Sequence, residues 1–317
     1  MKEDRRSPSV SDETFSWVMR VGVMVLAIGV AAFGFMYYQD QHVSSGPTLT
    51  GRQIEGAESA VKKNPNNIQF RLQLAAAYLQ DKRPDDALNQ YDIVLTASKT
   101  NRQALLGRGH VLIEKGDLKA AARAYHIITD SAKTGEFAGA DPQAQEAHYY
   151  LGSIAVTQHN PKVAIAELQW ALKIDRADSD ALYLMGLARA QQGSTQLAVD
   201  SFKQALLFVP TGWCEPYTQL NLAYTKLGNV AQATYDGAMA NFCHRKTVEA
   251  KRQLNTLTTG PVKVDAMTGL GLIAEMESSN PEAISWYQKV LKVDAKNPSA
   301  ISSLSRLGVA PTSTTKK

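Results

Sequence analysis

Residues 68–101 read IQFRLQLAAAYLQDKRPDDALNQYDIVLTASKTN. Two stretches of about a dozen residues carry apolar side chains at the three-to-four spacing of one helix face. A polar break separates them. The same pattern restarts at 102, 145, 179, 214 and 264. Counted from each start, position 20 is Ala87, Ala121, Ala164, Ala198, Ala233 and Ala283. Position 8 is Ala75, Gly109, Gly152, Gly186, Asn221 and Gly271. Position 24 is Tyr91, Tyr125, Leu168, Phe202, Gly237 and Tyr287, and position 27 is Val94, Ile128, Ala171, Ala205, Ala240 and Val290. One shared alanine means nothing in an alanine-rich chain. Columns that stay in register define a period.

Each period reads as a helical hairpin. The break falls near position 15, as in Glu114–Asp117 (EKGD) and Leu227–Asn229 (LGN). Small residues at 8 and 20 let two helix backbones approach, and the large residue at 24 packs across. No hairpin buries its apolar face alone, so the units must stack into a solenoid. Residues 51–64 and 298–307 read as capping helices, the second started by Pro298 and Ser299. Two insertions interrupt the array, 136–144 and 248–263; the second predicts one added helix ending near Leu257.

These columns resemble the tetratricopeptide repeat family over about 68–297. Leu182–Gly186, Ala198, Phe202, Ala205 and Pro210 match its pattern best, followed by Tyr150–Gly152, Ala164, Leu168 and Ala171. The resemblance implies an all-α, right-handed α-solenoid of about six hairpins, near 68–101, 102–135, 145–178, 179–212, 214–247 and 264–297. Two departures stand out. The family's proline at position 32 occurs only as Pro210, and the fifth repeat has Asn221 and Gly237 where glycine and an aromatic are usual.

The N-terminal part has a different character. Residues 1–17 are polar and predict a tail. Val18–Tyr38 is apolar, and Val21–Tyr38 carries no charge. At about 1.5 Å per residue that run spans roughly the hydrocarbon core of a bilayer. Phe15, Trp17, Tyr37 and Tyr38 bracket it as interfacial aromatics do. Lys2, Arg5, Arg6 and Arg20 precede it, so the positive-inside rule predicts a cytoplasmic N-terminus and an extracytoplasmic repeat domain. A cleaved signal peptide is the competing reading, but GFMYYQDQ lacks an A-x-A site. A buried core helix is a second, opposed by apolarity on all faces. Residues 39–50 read as a linker, 51–307 as the repeat domain and 308–317 as a tail.

Composition narrows the function. The 317 residues are 44% hydrophobic and 20% charged, enough for a sizeable core. A net charge of +4, from 34 basic and 30 acidic residues, is too balanced to point to nucleic acid. No phosphate loop, G-x-S-x-G elbow, H-E-x-x-H or C-x-x-C occurs. The six histidines include no i,i+3 or i,i+4 pair. Asp130, Glu136 and Asp141 near the first insertion lack a partner base. No catalytic residue, metal site, cofactor or small-molecule substrate is expected.

The two cysteines fall at positions 1 and 30 of the fifth repeat. In an antiparallel hairpin the start of the first helix lies beside the end of the second, so Cys214 and Cys243 can meet. A bond there would close a loop worth roughly 3 kcal/mol, and an oxidising compartment would preserve it. The other reading is two free thiols packed as small hydrophobes.

In the resembled family the first helix of each hairpin lines a groove through positions 2, 5, 9, 12 and 13. Carried over, these imply His110 and Glu114, then Tyr149, Ser153 and Thr157, then Tyr183 and Gln191, then Thr218 and Lys226. The face is expected to be aromatic and neutral-polar, suited to an extended peptide or partner helix. Alternatively, Tyr149 and Tyr183 only pack between repeats. The resulting expectation is a non-enzymatic, single-pass membrane scaffold binding a protein or peptide partner in envelope assembly or maturation. Membrane-anchored relatives of this layout imply two further settings, an accessory subunit of a membrane enzyme or cytochrome c maturation complex and a translocon-associated chaperone-like factor.

Overall fold

The computed structural model describes residues 24–38, 49–133, 140–208 and 212–310, and every element among them is an α-helix. The chain divides into two compact units, Met1–Arg83 and Pro84–Lys317. The boundary falls inside the first repeat.

In the first unit, α1 covers 24–38, followed by α2 (Leu49–Lys63) and α3 (Ile68–Gln80). Asn67 opens α3 by accepting a hydrogen bond from the Phe70 amide at 3.1 Å. Tyr78 Oη donates to Glu58 Oε1 at 2.8 Å, joining α3 to α2. The Arg83 guanidinium lies 4.4 Å above the Tyr78 ring. The large side chains of α1 are exposed, Phe33 to 73% and Met36 to 71%. The expected membrane span starts at Val18, and its residues 18–23 lie outside the described part. No helix among the described residues is long and apolar enough to cross a membrane. The expected N-terminal tail, residues 311–317 of the C-terminal one, most of the linker, Glu136 and Pro210 also lie outside it.

The second unit begins with α4 (Pro84–Ala97). Hairpins follow: α5 (Arg102–Glu114) with α6 (Leu118–Ala132), α7 (Pro142–Thr157) with α8 (Pro161–Ile174), and α9 (Ser179–Gln191) with α10 (Thr195–Phe208). Then come α11 (Cys214–Lys226) with α12 (Val230–Cys243), the single helix α13 (Thr247–Thr256), α14 (Lys263–Met276) with α15 (Asn280–Val293), and α16 (Pro298–Arg306). Asp117, Asp141, Asp178, Asn229 and Asn297 each accept an amide hydrogen bond at a helix start, which satisfies donors the helix itself leaves open. The inserted α13 buries Ala250 and Leu254 against Ala238 and Met239 of α12 and Leu270 and Ile273 of α14.

The hairpins close through volume matching. A Cβ on Gly271 would lie 2.6 Å from the Tyr287 ring. Cβ atoms on Gly109 and Gly186 would likewise fall inside contact distance of Tyr125 and Phe202, and one on Gly152 would lie 2.5 Å from Leu168. Position 8 is empty because position 24 fills it. The fifth repeat reverses the pair. Asn221 supplies the bulk, and a Cβ on Gly237 would meet Asn221 Nδ2 at 2.9 Å. That amide donates to the Ala233 carbonyl at 2.6 Å, so its polar end is satisfied. Ala121, Ala164, Ala198 and Ala283 are fully buried, as is Ala87 within α4, and Ala233 is 6% exposed.

Position 15 has positive φ in all six repeats: Lys82 at 58°, Gly116 at 79°, His159 at 52°, Gly193 at 86°, Gly228 at 73° and Ser278 at 61°. In each, the following amide reaches back to the last turn of the first helix, as Asn160 N does to Ala155 O at 2.9 Å. This is a left-handed helix C-cap. Half of these caps use a side-chain-bearing residue where glycine avoids a Cβ clash of about 1 kcal/mol or more. His159→Gly is therefore expected to raise the urea midpoint by the equivalent of about 0.5–1 kcal/mol, and Gly193→Ala to lower it by about 1 kcal/mol. Opposite signs in either variant would exclude the cap account.

A candidate protein-binding face

Along the first helices of repeats two to five lies a strip of aromatic rings in two clusters, one about Tyr150 and one about Tyr183. From α5, the His110 ring lies 4.6 Å from Tyr150 and 6.2 Å from Tyr125. On α7, Tyr150 stacks on Tyr125 at 5.3 Å and meets Tyr149 edge-on at 5.1 Å. On α9, Tyr183 packs between Phe202 at 5.7 Å and Trp213 at 5.2 Å. Trp213 is the N-cap residue of α11. His110, Tyr149, Tyr150, Tyr183 and Trp213 are half-buried, and the buried Tyr125 and Phe202 back them from the core.

Carboxylates rim this strip. Position 2 is Glu146, Asp180 and Glu215 in the first helices of repeats three to five. Their fields reach the phenols. Burial raises Tyr149 to about 12, and Asp180 adds to the shift. Burial first and Glu146 second raise Tyr150; burial and Glu215 raise Tyr183. His110 Nε2 lies 3.1 Å from Glu146 Oε1, yet it lacks the alignment of a hydrogen bond. The face is thus aromatic and acidic rather than neutral-polar. Reading position 2 down the windows exposes this signal in the sequence; the neutral-polar reading weighted positions 5, 9 and 13 instead.

The other expected contact residues add no ring to the strip. The Thr157 hydroxyl donates to the Ser153 carbonyl at 3.1 Å, and the Thr218 hydroxyl to the Cys214 carbonyl at 3.1 Å, so both serve their own helices. Gln191 Nε2 donates to the Val156 carbonyl at 3.0 Å, tying α9 to α7. Glu114 and Lys226 are exposed at the ends of α5 and α11. Cys214 and Cys243 form a disulfide, with their Cα atoms 5.4 Å apart, between the start of α11 and the end of α12. Among the described residues no cluster of three or more histidine, cysteine or carboxylate groups is arranged to hold a metal ion.

Comparison with known proteins agrees with the hairpin geometry. The tetratricopeptide repeat model matches residues 72–133, 106–160 and 151–212. A comparison with curated protein sequences gives no match. Among solved structures, the chain is similar to YrrB, described as a TPR protein with an unusual peptide-binding site. Identity is 21%, coverage is 63% of this chain and 97% of YrrB, and the TM-score is 0.51. It is similar to MamA, at 22% identity, 57% and 94% coverage and a TM-score of 0.50. It is also similar to MamA 41-end from Desulfovibrio magneticus RS-1, at 17% identity, 57% and 96% coverage and a TM-score of 0.50. These likenesses speak to fold. The family model's matches across residues 72–212 and the hairpin packing agree: the described part of the chain is all-helical and carries repeats similar to tetratricopeptide repeats.

Proposed function

We propose that the chain is a non-catalytic scaffold that holds an extended, basic segment of a protein partner along α5, α7, α9 and the start of α11. The observation that carries this reading is the strip of Tyr149, Tyr150, Tyr183 and Trp213 edged by Glu146, Asp180 and Glu215. Aromatic faces attract Lys and Arg side chains, and the carboxylates add charge complementarity. We further propose that residues 18–38 tether the scaffold to a bilayer, with the repeats outside the cytoplasm and the partner handled during envelope assembly or maturation. The uncharged run Val21–Tyr38 and the preceding basic residues support the tether.

The test is fluorescence anisotropy with a labelled decapeptide of alternating Lys and Ser and its Glu–Ser counterpart. Saturable binding of the basic peptide is expected. It should weaken as salt rises from 50 to 300 mM and fall at least about tenfold in Tyr149→Ala/Tyr183→Ala. Equal binding of the acidic peptide would end the basic preference. Deleting residues 1–48 should move the protein from the membrane pellet to the supernatant.

A further inference from the structure

The fifth repeat contains a buried carboxyl group that repeat packing does not require. Asp236, on α12, is 2% exposed, and its Oδ2 is enclosed without a hydrogen-bond partner. It lies at position 23, where the other repeats have Gln90, Ala124, Glu167, Ser201 and Trp286. In the two preceding repeats a basic side chain from the first helix of the same hairpin answers the polar group there. His148, at position 4, meets Glu167 Oε2 through Nδ1 at 2.7 Å. Arg189, at position 11, donates to Ser201 Oγ at 2.7 Å. In the fifth repeat those two positions are Tyr217 and Tyr224. Here position 23 is a carboxylate and neither position 4 nor position 11 is basic.

A cavity of about 260 Å³ takes the missing partner's place. Asp236, Leu206 and Leu220 are buried in its lining, and the rings of Tyr217, Tyr224 and Tyr235 form half-buried walls. Lys203 of α10 and Asp265 of α14 are exposed where it opens. The volume is below the roughly 300–1,000 Å³ of sites that hold a drug-sized ligand, and suits one long side chain. Two carboxylates and one ammonium leave the lining one negative charge in excess when all are ionised. A monovalent cation neutralises it, and tyrosine faces stabilise that cation.

We infer that this cavity receives a lysine or arginine side chain of a protein partner, whose ammonium or guanidinium group pairs with Asp236 beneath the three tyrosines. The chemistry is separate from the strip on α5 to α9, and a small probe reaches it without engaging that strip. A divalent metal is a poorer fit, since phenol rings and leucines make up most of the wall.

Charge state supplies an independent readout. Burial pushes the Asp236 carboxyl up to about 7; the Gln232 amide and Lys203 oppose that rise, and Asp265 adds to it. The phenols of Tyr217, Tyr224 and Tyr235 are all held above their ordinary value, chiefly by burial, and stay neutral. No residue of α13 lines the cavity. As pH falls through about 7 Asp236 therefore takes up a proton and offers a cation progressively less charge.

The experiment titrates the methylamides of N-acetyl-lysine, N-acetyl-arginine and N-acetyl-norleucine onto the full chain, followed by carbon-13 NMR of aspartate carboxyl signals. Saturable movement of the Asp236 signal is expected with lysine or arginine and not with norleucine. Affinity should be about tenfold weaker at pH 6 than at pH 8, following the ionised fraction of a group with a pKa of about 7. Asp236→Asn should keep the helical circular dichroism and weaken binding at least tenfold, now read on the probe's own signals. Asp265→Asn, at the exposed mouth, should weaken it severalfold with Asp236 still reporting. Tyr149→Ala/Tyr183→Ala should leave it unchanged, which separates this site from the strip. No saturation by either cationic probe, equal binding of norleucine, or indifference to Asp236→Asn would overturn the assignment. So would a response to sodium or potassium chloride alone that matches the probes.

Discussion

Phe202→Ala is expected to destabilise the protein by about 3–5 kcal/mol, read as a lowered urea midpoint. Phe202 is 1% exposed and fills the space left by Gly186 across the α9–α10 hairpin. It also backs Tyr183, so the loss would extend into the binding face. Gly186→Leu approaches the same contact from the other side. Its side chain would collide with the Phe202 ring, and overpacking typically costs about 1–3 kcal/mol. The double variant Gly186→Leu/Phe202→Ala is the sharper measurement. The fifth repeat shows that the volume between paired helices can be filled from the first helix instead of the second. The two changes should therefore compensate in part, with a coupling of about 1 kcal/mol or more against the sum of the singles. Strict additivity would mean that position 8 and position 24 do not share one space.

Reduction of the Cys214–Cys243 bond is the second large effect. The bridge joins residues 29 apart in sequence. A loop of that size gives roughly 3–4 kcal/mol in the chain-entropy treatment. Reductant should lower the melting temperature of the wild-type protein and have no further effect on Cys214→Ser/Cys243→Ser. Stacked repeats contribute stability nearly as a sum of units and their interfaces. Hydrogen exchange should accordingly quicken most in α11 and α12. Alkylation of the denatured, unreduced chain that finds two free thiols would remove the bond from the account.

The hairpins are legible in the sequence because close packing imposes its size rule on one repeat after another. Repetition turns weak local preferences into a visible column. Alanine at position 20 and glycine at position 8 need no knowledge of the rest of the chain. The acidic rim is equally periodic, but Glu146, Asp180 and Glu215 look like ordinary solvated charge until the rings beside them are known. Asp236 leaves no trace in the pattern. Its position varies from repeat to repeat, and burial of a single carboxylate is set by what α10, α11 and α14 place around it. Gln191, Thr157 and Thr218 are exposed, but each also donates to a carbonyl of its own array, a contact the repeat pattern does not announce.

The reversal at Asn221 and Gly237 bears on how such arrays diverge. Scored one column at a time, the fifth repeat departs from the motif twice, and the family match ends at residue 212, just before it. Scored as a pair, it departs not at all, because the two changes keep a single quantity, the summed bulk between neighbouring helices. Divergence of this kind is correlated drift, and a search that rewards complementary pairs would follow the repeats past the point where residue-by-residue likeness fades.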